Sequence, residues 1–325
     1  MKIEQRIQPS RQLFGPALGV LNSSRRLEGR RIMVVGAGQR TLDAPDPPVG
    51  NGRAISLLFA HEGATLTCVD VSPESVAQTC DLIRADGGIA YAEVADIGDA
   101  QAIPALVERS TTRMGGLDGI VLVVGVSSGL PIHLQSADEW DKEFAVNVRS
   151  NMLFAQQAMT HMDDGGAMLL ISSISALGCA STNPAYEVSK AAQLALARSI
   201  AMAGQGRGIR CNSLLPGQID TPMGRSATSR RPERANTPKP FGRQGTGWEI
   251  AHAALFLISH ESSYVNAHAL VVDGGLTMGV SMAATGSTAC LRPLPTAWVA
   301  PAGASSAWPT CSSWHTLPRS RPQRP

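Results

Sequence analysis

Short apolar runs alternate with helix-period amphipathic stretches along most of this 325-residue chain. That alternation most constrains the fold, because parallel strands must return through crossover helices that then cover both faces of the sheet. Strands are expected over residues 31–35, 64–70, 89–94, 119–124, 167–172, 209–215 and 270–272. The run Gly-Ile-Val-Leu-Val-Val at 119–124 has no polar interruption, as befits a strand buried on both faces. Helices are expected over 52–62, from Ser72 with Pro73 behind it, and over 99–114, 136–161, 183–204 and 246–259. Ser136 with Glu139, and Thr246 with Glu249, have the spacing of capping boxes. The expected fold class is therefore α/β: a single Rossmann-type doubly wound domain with a seven-stranded parallel sheet, over about residues 26–279.

Three segments fall outside this rhythm. Residues 1–25 read as a flexible N-terminal arm. Residues 221–243 are irregular and rich in Arg, Pro and Gly; following a strand's carboxyl end, they read as a mobile lid or as a solvated loop. Residues 280–325 hold seven prolines and three of the five tryptophans without periodicity, and read as a disordered Pro-rich tail. The tail also explains the net charge of +2: beyond residue 275 there are four arginines and no acid, leaving 24 basic against 26 acidic residues elsewhere. A body so nearly neutral is not expected to bind nucleic acid or an anionic membrane. No apolar run reaches the roughly 18 residues of a membrane span, and the N-terminus lacks the apolar core of a secretory signal.

The six cysteines (Cys68, Cys80, Cys179, Cys211, Cys290 and Cys311) form no CxxC pair. They read as small buried hydrophobes, and a cytoplasmic location is expected. His133, His161, His252, His260 and His268 show no paired-ligand spacing, so no metal is expected.

One pair carries chemistry. Tyr186 is followed four residues later by Lys190, so phenol and ammonium share a helix face, and Ser173 lies at the end of the preceding strand. A free tyrosine has a pKa of about 10; an adjacent cation stabilises the phenolate and lowers that value, making the side chain a proton shuttle for an alcohol or ketone. Upstream, the first strand runs into Gly36-Ala37-Gly38, and Gly50-Asn51-Gly52 follows after an insertion over 41–49. The two clusters read together as one glycine-rich turn that lets a pyrophosphate sit on a helix N-terminus. Asp70 ends the second strand, where a carboxylate accepts bonds from the adenosine ribose and repels a 2′-phosphate, so NAD is favoured over NADP.

Together these residues resemble the short-chain dehydrogenase/reductase family over about residues 26–278. Gly36, Gly50 and Gly52 match the glycines of its TGxxxGxG turn, and Asp96-Ile97 the pair that contacts adenine. Asn147, Ser173, Tyr186 and Lys190 match its catalytic tetrad. The segment from Pro216 through Ile219 to Thr221 resembles the one that contacts the nicotinamide carboxamide, and Val272-Asp273-Gly274-Gly275 the family's usual close. The resemblance implies that Tyr186 and Lys190 also touch the cofactor, Lys190 on the nicotinamide ribose. It further implies that Asn147 holds a proton-relaying water and that the protein is a homotetramer or homodimer. The sequence departs from the family at Val35, at the fourth-strand run Leu122-Val123-Val124-Gly125 that lacks the NNAG asparagines, and at the insertion.

The leading expectation is hydride transfer between NAD(H) and a secondary alcohol or ketone. The mild residues at 127–130 and 174–185 favour an uncharged, moderately hydrophobic substrate. Two alternatives stay open. One is an NADPH-dependent ketoreductase meeting an acyl carrier through the basic lid residues Arg225, Arg230, Arg231, Arg234, Lys239 and Arg243. The other is a non-catalytic dinucleotide-binding protein.

Overall fold

The computed structural model describes residues 13–44, 46–178 and 183–279; the expected Pro-rich tail, the start of the N-terminal arm and Cys179 lie outside the described residues. Seven parallel strands form one sheet in the order β3-β2-β1-β4-β5-β6-β9. They are β1 (Arg31–Val35), β2 (Thr65–Asp70), β3 (Ile89–Val94), β4 (Leu117–Leu122), β5 (Met162–Ile171), β6 (Arg210–Pro216) and β9 (Ala269–Val272). A separate two-stranded ribbon joins β7 (Ile219–Asp220) to β8 (Gly245–Thr246).

Alternate residues of each central strand enter different cores, as period-2 geometry requires. Ile32 and Val34 of β1 join one cluster, built with α1 (Asn51–His61), α2 (Pro73–Ala85) and α8 (Gly247–Ile258). Met33 and Val35 join the other, built with α3 (Ala102–Met114), α5 (Ser150–His161) and α6 (Pro184–Gly204). Because β2 lies on one side of β1 and β4 on the other, the chain reverses winding direction between β1 and β4. Ligands of such sheets bind outside the strand carboxyl ends at that switch point.

The expected elements are present, with four differences. The helix expected over 136–161 is split: α4 (Ala137–Phe144) passes through a π-turn at Ala145–Arg149 into α5. Its cap is half a box, with Ser136 Oγ accepting from Glu139 N at 3.2 Å, whereas Thr246 and Glu249 make the complete reciprocal box on α8. Second, β5 starts earlier than expected, at Met162 opposite Leu117, and the register slips before Gly119 pairs with Ala167. Third, the segment read as an irregular lid is ordered as α7 (Pro222–Arg230) and a 3-10 turn at Pro232–Asn236. Thr221 Oγ1 caps α7 by accepting from Gly224 N at 3.0 Å, and Pro222 fits its first turn because no amide is needed there. Fourth, the described part of the N-terminal arm is packed. Ala17 is buried, its carbonyl accepts from Thr246 Oγ1 at 2.8 Å, and Gly19 lies against Trp248.

Candidate active site

A cleft of about 520 Å³ opens at the carboxyl ends of β1 and β4. Gly36, Gly50, Asn51, Gly52, Asp70, Asp96, Ile97 and Thr221 all line it, so the structure brings together most of the residues expected to hold a cofactor. Ile219 is buried in β7 and does not line it. The split glycine turn closes into one loop across the insertion. Gln39 Oε1 accepts from Gly50 N at 2.9 Å, and Ser75 Oγ donates to Gln39 O at 2.7 Å. Gly36 turns the chain with φ +89°, and a Cβ on Gly52 would stand 1.8 Å from Gly36 O. Asp70 Oδ2 accepts from Gly38 N at 2.9 Å, fixing the carboxylate at the cleft wall. Arg53 is turned inward, donating to Thr79 Oγ1 and Gln78 Oε1. Arg40 lines the same cleft as Asp70.

These features fit an extended dinucleotide. The first residue of α1, Asn51, carries a buried Oδ1 without a partner among the described residues, beside backbone amides that a helix N-terminus leaves free for an anion. Polar wall groups and glycine surfaces in a mainly apolar cleft suit a ligand with both phosphate and flat aromatic parts.

The tetrad residues lie past Gly125. A Cβ there would stand 3.1 Å from Lys190 Nζ and 3.8 Å from Asn147 Oδ1, so this glycine lets cleft and tetrad adjoin. Asn147 occupies the π-turn, where the helical ladder is broken and polar groups are freed. Its carbonyl accepts from Gln193 Nε2 at 2.7 Å and Asn151 Nδ2 at 3.2 Å. Its side chain makes three bonds: Oδ1 accepts from Val126 N, and Nδ2 donates to Val126 O and Ser189 Oγ, each at 2.9 Å. This amide clamps the loop after β4 to α6.

Ser173 Oγ donates to Ser175 Oγ at 3.2 Å and accepts from Ser175 N at 3.1 Å, and its hydroxyl acts on the Tyr186 phenol. Lys190 Nζ stands 5.6 Å from the Tyr186 ring centroid and donates to Ile171 O at 2.8 Å. The electrostatics differ from the sequence expectation. Burial holds the Tyr186 phenol above its ordinary range, with the Ser173 hydroxyl opposing, the Glu143 carboxylate adding to the rise, and Arg234 and Arg231 opposing it. Lys190, buried, is pushed down to about 7. The desolvation that the sequence conceals is the reason, since it penalises every charged form.

A consequence is testable without substrate. An unfolded lysine titrates near about 10.4, while folded Lys190 titrates at about 7. Below pH 7 both states carry the proton and the burial penalty is complete. Between roughly 7 and 10 the unfolded chain binds more protons, so stability rises with pH. Lys190→Met lacks this term. Urea unfolding should show wild type gaining about 2 kcal/mol on the variant between pH 7 and 9; parallel curves would contradict it.

Sequence reasoning missed Glu143. It is 1% exposed, one helical turn before Asn147, and its Oε1 accepts from Ser128 N at 2.7 Å. Its signal was a carboxylate four residues from the tetrad asparagine, on the same helix face. The basic lid is also less available than its sequence implied. Arg225 pairs with Asp220 at 2.7 Å and Arg243 with Glu249 at 2.7 Å, and Arg234 donates to Gly224 O and Thr228 Oγ1. Among the described residues no group of three or more His, Cys, Asp or Glu could hold a metal, and no helix is long and apolar enough to cross a membrane.

Fold and cleft together define a Rossmann-type nucleotide-dependent oxidoreductase. The chain belongs to the short-chain dehydrogenase/reductase family, whose enzymes use NAD(P). The model of an enoyl-(acyl carrier protein) reductase family matches residues 49–277. The chain is 30% identical over 255 residues to the 3-oxoacyl-[acyl-carrier-protein] reductase FabG of Thermotoga maritima, covering 78% of this chain and 100% of that one. It is 30% identical over 262 residues to 2-(S)-hydroxypropyl-CoM dehydrogenase 3 of Xanthobacter autotrophicus, covering 78% and 99%. The crystal structure of a putative short-chain dehydrogenase/reductase from Burkholderia xenovorans superposes with TM-score 0.72 at 32% identity, over 79% of this chain and 99% of that one.

Proposed function

We propose that this protein transfers a hydride between NAD(H) and a secondary alcohol or ketone, with Tyr186 as the general acid and base. The observation that carries this reading is the joining of two separately built parts: a glycine-lined cleft at the switch point, and the Ser173–Tyr186–Lys190 cluster meeting it across Gly125. The nicotinamide supplies the hydride acceptor or donor. Tyr186 takes the hydroxyl proton during oxidation and returns it during reduction. Ser173, whose hydroxyl acts on the phenol, holds the substrate oxygen and stabilises its developing charge. Lys190 stabilises the phenolate, its own proton being easily exchanged near neutral pH. Asn147 acts as a positioning residue, fixing the loop after β4 against α6. The FabG and hydroxypropyl-CoM dehydrogenase relatives, by name a reductase and a dehydrogenase, support both directions. The test is a panel of secondary alcohols and ketones with each nucleotide, followed at the NADH absorbance; no turnover with any pair would end the reading.

NAD is preferred because Asp70 stands fixed at the cleft wall and Val71 after it is not a cation. Asp70→Ala should lower the NAD-over-NADP ratio of kcat/KM by about tenfold or more, a charge-assisted bond and a repulsion being lost together. An unchanged or larger ratio would count against Asp70. A second reading has one observation behind it. Arg40 lines the same cleft, and a guanidinium there suits a 2′-phosphate. If NADP is the working cofactor, Arg40→Ala should weaken NADP selectively.

A further inference from the structure

Among the described residues, two buried acceptors without partners flank the loop that follows β4. Glu143 is 1% exposed; its Oε1 accepts from Ser128 N at 2.7 Å, and its Oε2 has no partner. Asn183 is 5% exposed; its Nδ2 donates to Ser127 Oγ at 2.6 Å, and its Oδ1 has no partner. Asn183 is the N-cap residue of α6, three residues before Tyr186, yet its side chain makes no cap bond. An N-cap asparagine ordinarily spends that oxygen on the helix amides. Both side chains therefore grip adjacent loop residues and each leaves an acceptor over. Glu143 lies on α4, directly before the π-turn that carries Asn147, and its charge is felt by the Tyr186 phenol. A buried acceptor left unsatisfied is costly, and a carboxylate more so, so what it lacks is a donor.

We propose that the substrate is a vicinal diol, or in the reverse direction an α-hydroxyketone, whose non-reacting hydroxyl donates to Glu143 Oε2, with Asn183 Oδ1 as the second acceptor. This rests on the alcohol dehydrogenase reading above. In the oxidation the carbinol C–H gives its hydride to NAD⁺ and the O–H gives its proton to the Tyr186 phenolate. The products are the α-hydroxyketone and NADH, the proton passing on to solvent. The second hydroxyl is unchanged and serves only to seat the substrate.

The probes are 2,3-butanediol against 2-butanol, and cyclohexane-1,2-diol against cyclohexanol. Wild type should favour the diol by about a hundredfold in kcat/KM, because a site built around a hydroxyl rejects the analogue lacking it. Glu143→Gln keeps the side-chain volume and the bond from Ser128 N but removes the charged acceptor. It should lower that ratio by about tenfold, charge-assisted hydrogen bonds being the stronger ones. A diol ratio near unity in wild type, or one that Glu143→Gln leaves unchanged, overturns the proposal: the carboxylate would then only anchor the loop. Calorimetric titration of the Tyr186→Phe enzyme–NADH complex with 2,3-butanediol and with 2-butanol reads the same discrimination without turnover. Selective diol binding there, with wild type turning over neither compound, would sustain the pocket and sink the dehydrogenase reading; equal binding would sink the pocket.

Discussion

Tyr186→Phe is expected to lower kcat/KM by roughly a thousandfold, general acid–base groups contributing about 10²–10⁴, while NADH still binds. The substitution removes one oxygen. The ring that faces Lys190 Nζ at 5.6 Å remains, as does the Lys190 bond to Ile171 O at 2.8 Å, and Tyr186 does not line the nucleotide cleft. What disappears is the proton carrier that the Ser173 hydroxyl acts on. Steady-state kinetics together with NADH fluorescence titration separate the two effects. Retained turnover would remove Tyr186 from the proton-transfer role; loss of NADH binding with turnover would make it structural.

Gly52→Ala is the second large effect. In an ordinary helix this change favours the fold by about 1 kcal/mol. Here the added Cβ would lie 1.8 Å from Gly36 O and 2.8 Å from Gly36 C. Both are backbone atoms of the turn leaving β1, so no side chain can swing aside. Either α1 shifts off the turn or the turn opens, and overpacking of this kind costs about 1–3 kcal/mol. We expect a stability loss of about 2 kcal/mol or more, beyond the propensity gain, and a fall in NADH affinity of about a hundredfold, the displaced amides being those that would hold a phosphate in the proposed cofactor site. Gly206→Ala is the control: it is exposed and has no atom within 4 Å of its Cβ position. Chemical denaturation and NADH titration of both variants decide the matter. Gly52→Ala behaving like Gly206→Ala would mean that the close approach is not needed.

Much of the fold was legible because its signals are local. Strand and helix order follows from apolar periodicity, and the cap at Thr246 from its own four-residue spacing. The two glycine clusters could be read as one turn because each sits beside an element end, and the Gln39–Gly50 bond shows them joined. The π-turn at Asn147 was not legible, since the partners of its side chain, Val126 O and Ser189 Oγ, and of its carbonyl, Gln193 Nε2, are distant in sequence. The ordering of residues 221–243 depends on partners such as Glu249 for Arg243. The mild composition of 127–130 concealed a polar wall, because the carboxylate that meets Ser128 arrives from α4.

Sequence by itself determined which groups could carry the chemistry: the phenol and ammonium one helical turn apart, the glycines at a strand end, the carboxylate closing the second strand. Those relations are set by backbone period and survive any packing. Tertiary structure decided what each group is. Packing withdrew water from Lys190 and brought its titration to about 7, raised the Tyr186 phenol instead of lowering it, and left a buried oxygen of Glu143 without a donor. Desolvation depends on everything that surrounds a group, and no spacing along the chain encodes it.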